Sequence, residues 1–327
     1  MSKLTRPMHR RRVIQLCAAS AAFALPPASA RAGSALHRWS GLAMGADASL
    51  TIRHEDAGEA ARLIKLARQE IHRLESIFSL YQAQSALSRL NRQGRLNAPP
   101  LDLLSLLSLC GAIHRATEGA FDPVIQALWA YYAETLAGVR PENADEFRSI
   151  LQRSGWAHLE VSPDLVAFRT PGAALTLNGI AQGYATDKVA ALFRANGLED
   201  VLVSVGEIVA LGARGPSLPW RIGLNNPAEG APPEKLILKN TAIATTAPLA
   251  TTLDPAGRVG HIINPHTGLP VQSPWQQISV IHPSAAIADG LSTGLVLMDQ
   301  AAMKQALRAY APARVIAFDQ NGTQITL

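Results

Sequence analysis

The sequence predicts an α+β fold in a single domain, on three observations. Helix-period patterns crowd the first half and short apolar or alternating runs crowd the second, without the strand–helix alternation of a doubly wound sheet. No internal repeat and no linker interrupts residues 33–327. A length of 327 residues with 48% hydrophobic side chains is enough to bury a substantial core.

Taken in order, Leu36 to Arg53 reads as strand, broken at Met44-Gly45-Ala46. Residues 57–77 place Leu63, Ile64, Ala67, Ile71, Leu74 and Ile77 on one stripe, an amphipathic helix. Pro99-Pro100 opens a second helix that runs to about Thr117 and is ended by Glu118-Gly119. A third is expected after Phe121-Asp122-Pro123, with Asp122 as N-cap and Pro123 at the first helical position. Strands are then expected at LEVSP, LVAFRT, AALTL, VLVSV, WRIGL, KLILK, AIATT, GHIIN and QQISVIH. Late helices over about 284–298 and 301–310 precede a hairpin turning at Asp319-Gln320-Asn321-Gly322.

The formal net charge of +5 suggests an anionic partner, but its origin is local. Lys3, Arg6, Arg10, Arg11 and Arg12 stand in the first thirty residues with no acid among them. Taking those five from the 30 basic residues leaves a balance with the 25 acidic ones. No dense basic run remains, so nucleic-acid binding has no electrostatic support. The basic start, an apolar stretch (VIQLCAASAAFAL) and Ala28-Ser29-Ala30 form the pattern of a cleaved export signal. His9-Arg10-Arg11-Arg12-Val13 resembles a twin-arginine motif, which predicts a signal over residues 1–30 and a periplasmic destination. Beyond it only Cys110 remains, inside an apolar helical pattern, where a buried structural thiol is expected.

Three places could hold chemistry. Leu177-Asn178-Gly179-Ile180-Ala181-Gln182-Gly183-Tyr184 hands a strand-like run to a helix-like one. Its glycines permit close approach, and the following helix N-terminus would attract an anion; a purely structural turn is the other reading. In the apolar helix Ser284–Met298, Ser284 is the expected cap, and Asp289 lies too deep to share that role. Asp289 and Thr293 are four residues apart on one face, so their oxygens would suit Mg²⁺. A buried acid bonded to backbone amides is the alternative. In Gly260-His261-Ile262-Ile263-Asn264-Pro265-His266, His261 could reach a ligand as general base from near a strand end, while His266 is expected to be exposed.

Together the motifs resemble a family. Met44-Gly45-Ala46, Tyr81 with Ser85-Ala86-Leu87-Ser88-Arg89-Leu90-Asn91, Ala120-Phe121-Asp122-Pro123 and LNGIAQGYATD occur in the order seen in ApbE-type FAD:protein FMN transferases. Val205-Gly206-Glu207-Ile208, Trp220-Arg221-Ile222-Gly223, HIINPHTG and ADGLSTGL complete that order. The resemblance implies a T-fold-like domain that uses Mg²⁺ and FAD. Such an enzyme attaches FMN through a phosphoester to Thr or Ser of an acceptor protein and releases AMP. It further implies FAD contacts at Met44, Tyr81, Ala120, Phe121, Asp122, Asn178, Tyr184 and Ile262. Metal contacts are implied at the Ala181 carbonyl, Asp289 and Thr293, with His261 as base. The leader and the LNGIAQGYATD variant resemble the branch that flavinylates a nitrous oxide reduction accessory protein; other membrane electron-transfer subunits are equally suited as acceptors. The sequence departs from the pattern at Thr176, where many members have Asp, at Gln182, where Lys is common, and at Asn264, where Asp is usual. Hydrolysis of FAD to FMN and AMP, or flavin binding without turnover, are the competing activities.

Overall fold

The computed structural model describes residues 35–227 and 234–327. The twin-arginine segment and its cleavage site therefore lie outside the described residues. The chain opens with β1 (Ala35–Ala43) and β2 (Ala46–His54), joined by the tight turn Met44-Gly45, both at positive φ. Next come α1 (Ala57–Phe78), α2 (Ala86–Gln93), β3 (Arg95–Asn97), α3 (Leu101–Ala116), α4 (Gln126–Leu136) and α5 (Ala144–Gln152). Strands β4 (Leu159–Val161) and β5 (Leu165–Phe168) lead to α6 (Ala181–Ala195). They are followed by β6 (Val201–Val205), β7 (Glu207–Leu211), β8 (Trp220–Leu224), β9 (Glu234–Leu238), β10 (Thr241–Thr246) and β11 (Trp275–His282). The end of the chain is α7 (Ala285–Leu295), α8 (Gln300–Leu307), β12 (Arg314–Asp319) and β13 (Gln324–Thr326).

Among the described residues the organising element is an antiparallel sheet in the order β1-β2-β6-β7-β10-β11-β12-β13. Side chains alternate between its faces, and the two cores divide accordingly. Ile278, Val280, Val315 and Ala317 join the main core with α1, α3, α6 and α7. Ile281, Ile316 and Phe318 join a second core with Trp220 and Leu238 of the β8–β9 ribbon. Coverage on both faces explains why β11 is buried almost throughout, its polar Gln277 and Ser279 included.

The long amphipathic helix, the helix after Pro99-Pro100, the Ser284 cap and the final hairpin form as the sequence predicts. Asp122 does not. It caps no helix; α4 begins three residues beyond Pro123 at Gln126, without a side-chain cap. Its carboxylate instead accepts from the Val124 and Trp156 N–H groups, at 2.8 and 2.7 Å, tying two loops together. The runs AALTL and GHIIN are not strands either. Leu175 exchanges backbone bonds with the Asn91 side chain rather than with a ladder partner. Around His261 only the isolated bridges Thr252–Gly260 and Ile263–Pro270 form. An apolar run lacking a neighbouring strand becomes buried coil, and α2 and α5 went unanticipated because each is short.

Candidate active site

α6 and α7 cross closely, and the crossing builds one wall of a cavity. Gly183 faces the backbone of Ala285, and a Cβ there would fall inside the Ala285 carbonyl oxygen and 2.8 Å from the Asp289 Cβ. A Cβ on Gly179 would come to 2.8 Å from Thr293 Oγ1. Both glycines thus serve close approach. Through that contact the Gly183 N–H donates to Asp289 Oδ2 at 2.9 Å, and Thr293 Oγ1 donates to the Gly179 carbonyl at 3.3 Å. Several N–H groups at the helix N-terminus have partners within the protein. Ala181 and Tyr184 N–H groups bond the Leu177 and Ile180 carbonyls, and the anion it meets is Asp289. Asp187, one turn further along α6, accepts from Ser284 Oγ and from the N–H groups of Ala285 and Ala286, which locks the start of α7.

The cavity is about 180 Å³, enough to enclose part of a dinucleotide and too small for all of one. It is also walled by Thr245 to Ala247, Ala250, Thr251 and His261 to Ile263, and by Ala120 to Pro123. Thr176, Asn178, Gly179, Gln182, Glu207, Asp289 and Thr293 supply most of its remaining polar lining. Of the residues marked in the sequence, His261, Ile262, Asn178, Ala120, Phe121, Asp122, Asp289 and Thr293 therefore converge. Four others stand outside the wall. Tyr81 is 83% exposed, and Met44 occupies the β1–β2 turn, where its carbonyl accepts from the Gln182 side chain. Tyr184 packs edge-on against Phe78 and donates to Asp102 at 2.8 Å. Ala181 lies within the first turn of α6, so the carbonyl beside Thr293 is that of Gly179.

The electrostatics separate two kinds of group. Asp289 is 5% exposed; burial pushes its carboxyl up to about 7, the Gly183 N–H offsets part of that, and Asp187 adds to it. Glu207, at the start of β7, is held well above the usual carboxylate range by burial and by the facing Asp289. Neither carboxylate has a Lys, Arg or His among the groups acting on it. Half-buried His261 is different. Burial lowers its pKa, against the opposing pull of the Thr251 and Pro248 carbonyls. Its Nδ1 lies 3.0 Å from the Thr251 carbonyl, which can only accept, so in the neutral ring Nδ1 carries the proton and Nε2 keeps its lone pair.

Glu207 escaped sequence reasoning as a site residue, although it stands in the quoted Val205-Gly206-Glu207-Ile208 motif; an acid opening a strand has no local signature. Asn264, one of the departures, accepts from His266 N–H in its turn and does not line the cavity. Cys110 is fully buried, and burial pushes its thiol up, as a structural cysteine requires.

The model of the ApbE family matches residues 44–317. The chain belongs to the ApbE family. Among the relatives of this ApbE chain, the FAD:protein FMN transferase of Haemophilus influenzae is 28% identical over 295 residues, covering 83% of this chain and 84% of the relative. That of Escherichia coli is 27% identical over 267 residues, covering 77% and 76%. The flavin transferase ApbE from Vibrio cholerae superposes with a TM-score of 0.78 at 25% identity, over 90% of this chain and 97% of that one. The apo flavinyl transferase ApbE of Pseudomonas stutzeri gives 0.75 at 24% identity, covering 90% and 94%, which supports the fold.

Proposed function

We propose that this ApbE chain is an FAD:protein FMN transferase that moves FMN from FAD onto a Thr or Ser hydroxyl of an acceptor protein. The observation that carries the reading is the pairing within one cavity of a buried carboxylate lacking a cation, Asp289, with a neutral histidine, His261. Family membership and the transferase relatives supply the substrate.

The residues fit a divalent cation. Among the described residues no three His, Cys, Asp or Glu side chains cluster, but Mg²⁺ is commonly held by one or two carboxylates and the substrate phosphates. Asp289, the Thr293 hydroxyl and the Gly179 carbonyl would hold it, with Gly179 in place of the Ala181 carbonyl that the resemblance implied. Bound there, Mg²⁺ would neutralise the pyrophosphate and the charge developing on AMP. His261 Nε2 accepts the acceptor hydroxyl proton as that oxygen attacks the FMN phosphorus. The phosphoester bond forms, the bond to the AMP phosphate oxygen breaks, and AMP departs with the electron pair. Asn178 and the 120–122 segment line the cavity where the nucleotide would lie, and Gln182 offers a neutral amide where a cation is common in the family.

The test is incubation with FAD, Mg²⁺ and an acceptor segment containing Thr. Covalent flavin on the acceptor with stoichiometric AMP is expected. Free FMN and AMP alone would replace the reading with hydrolysis, and unchanged bound FAD would replace it with carriage. Export by the twin-arginine signal into the periplasm belongs to the same proposal. Replacing Arg10 and Arg11 with Lys should leave uncleaved precursor in the cytoplasm, and processed periplasmic protein would point to the general secretory route.

A further inference from the structure

We infer that Glu207 is a second carboxylate of the divalent-cation site, setting cation affinity together with Asp289. The inference rests on the cation reading of Asp289 above and adds a residue to it. Glu207 and Asp289 line the same cavity from different elements: one opens strand β7, the other sits midway along α7. Neither Lys nor Arg is among the residues that line this cavity with them. A carboxylate offers about four lone-pair directions. Glu207 has one donor, the Thr245 N–H, which meets Oε2 at 3.2 Å. That bond orients the carboxylate and leaves the rest of its acceptor capacity facing the cavity.

The strand positions are themselves fixed. β7 pairs with β10 through Ile208–Ile243, and Thr245 is pinned again by its hydroxyl, 2.8 Å from Ser279 Oγ. Behind Glu207, its own carbonyl lies 3.3 Å from Thr186 Oγ1 on α6, linking the strand to the helix that presents Gly183 and Gly179. An interior strand of the sheet and the helix pair thus deliver one carboxylate each to one space. Two like charges held together without a counter-ion are costly, and a divalent cation between them removes the cost. A merely structural Glu207 would be an acceptor for Thr245, and a neutral amide would serve that equally well.

The experiment titrates Mn²⁺, followed by its electron paramagnetic resonance signal, into the chain alone and with ADP, a pyrophosphate that cannot donate FMN. Wild type, Asp289→Asn, Glu207→Gln and Glu207→Asp are compared, with metal-free melting curves for each. Saturable binding by wild type, its loss in D289N and at least about tenfold weaker binding by E207Q at an unchanged metal-free melting temperature are expected. E207D, whose carboxylate is withdrawn by one methylene, should weaken binding several-fold and answers the question if E207Q melts early. Wild-type affinity in folded E207Q or E207D, with D289N still defective, overturns the role of Glu207 alone. No saturable binding by wild type, or full binding by D289N, overturns the cation reading and this inference with it.

Discussion

The two halves of the site are built in opposite ways. On the α6–α7 side the contacts join the two helices and the turn that leads into α6: Gly183 to Asp289, Gly179 to Thr293, and Asp187 to the first turn of α7. On the facing side His261 sits in irregular chain, held by its own N–H and its Nδ1 against the Thr251 carbonyl, with the Pro248 carbonyl also acting on the ring. Cation ligands tolerate little positional error, and helices packed through glycine hold oxygens more tightly than loops do. A base that must meet the hydroxyl of an incoming protein gains from a loop at the cavity mouth. The difference teaches that the fold places its rigid contacts on the side of the cavity that carries Asp289 and Thr293.

The largest expected effect is on that rigid side. Asp289→Asn should lower FMN transfer at least about a thousandfold, because several kcal/mol of charge stabilisation depends on its ligand. The amide oxygen still accepts from Gly183 N–H, so the melting temperature should hold; near-normal transfer by the folded variant would remove the helix pair from the cation's binding.

His261→Ala probes the loop side. Transfer should fall by about two to four orders of magnitude while FAD affinity stays near wild type. The deficit should narrow at higher pH, where the hydroxyl needs less help. Equal rates for both proteins, measured on folded, FAD-bound material, would leave His261 a purely structural residue.

Gly183→Ala sharpens the contrast in stability. The added methyl has no space against Ala285, so α6 and α7 must separate, at a cost of about 2–3 kcal/mol in urea unfolding. A variant as stable as wild type would show that the helix crossing is more compliant than its contacts indicate.

Acidification should bear on the loop. The folded pKa of His261 is lowered, so the stability it contributes is present above about 6.5 and is lost as pH falls through the folded value. Transfer should follow the same sense, flat at and above neutrality and falling about tenfold per unit below the lowered pKa. A rate that instead climbs through pH 7 to 8 would place the working base elsewhere.

The smallest effect is expected at Thr246, whose hydroxyl lies 2.7 Å from Ser292 Oγ where β10 meets α7. Thr246→Val should cost about 1 kcal/mol, read as a modest shift in denaturation midpoint, since Ser292 keeps its bond to the Asp289 carbonyl.

The sequence by itself determined whatever is periodic or capped within a few residues. The stripe of α1, the Ser284 cap, the Asp319–Gly322 turn and the division into helices first and strands later need no distant partner to form. The ordered motifs were legible for the same reason, and they led to the cavity residues His261, Asp289 and Thr293. Tertiary structure decided the rest. AALTL and GHIIN have strand composition, yet no neighbouring strand offers a ladder, so backbone bonding went to Asn91 and to isolated bridges. Asp122 could have capped a helix, but the Trp156 N–H, 34 residues away, claims its other oxygen. Gly179 rather than Ala181 meets Thr293 because the two lie 114 residues apart in sequence and touch only after α6 and α7 cross. Glu207 faces Asp289 for the same reason: the burial and repulsion that mark both carboxylates exist only once sheet and helices close around them.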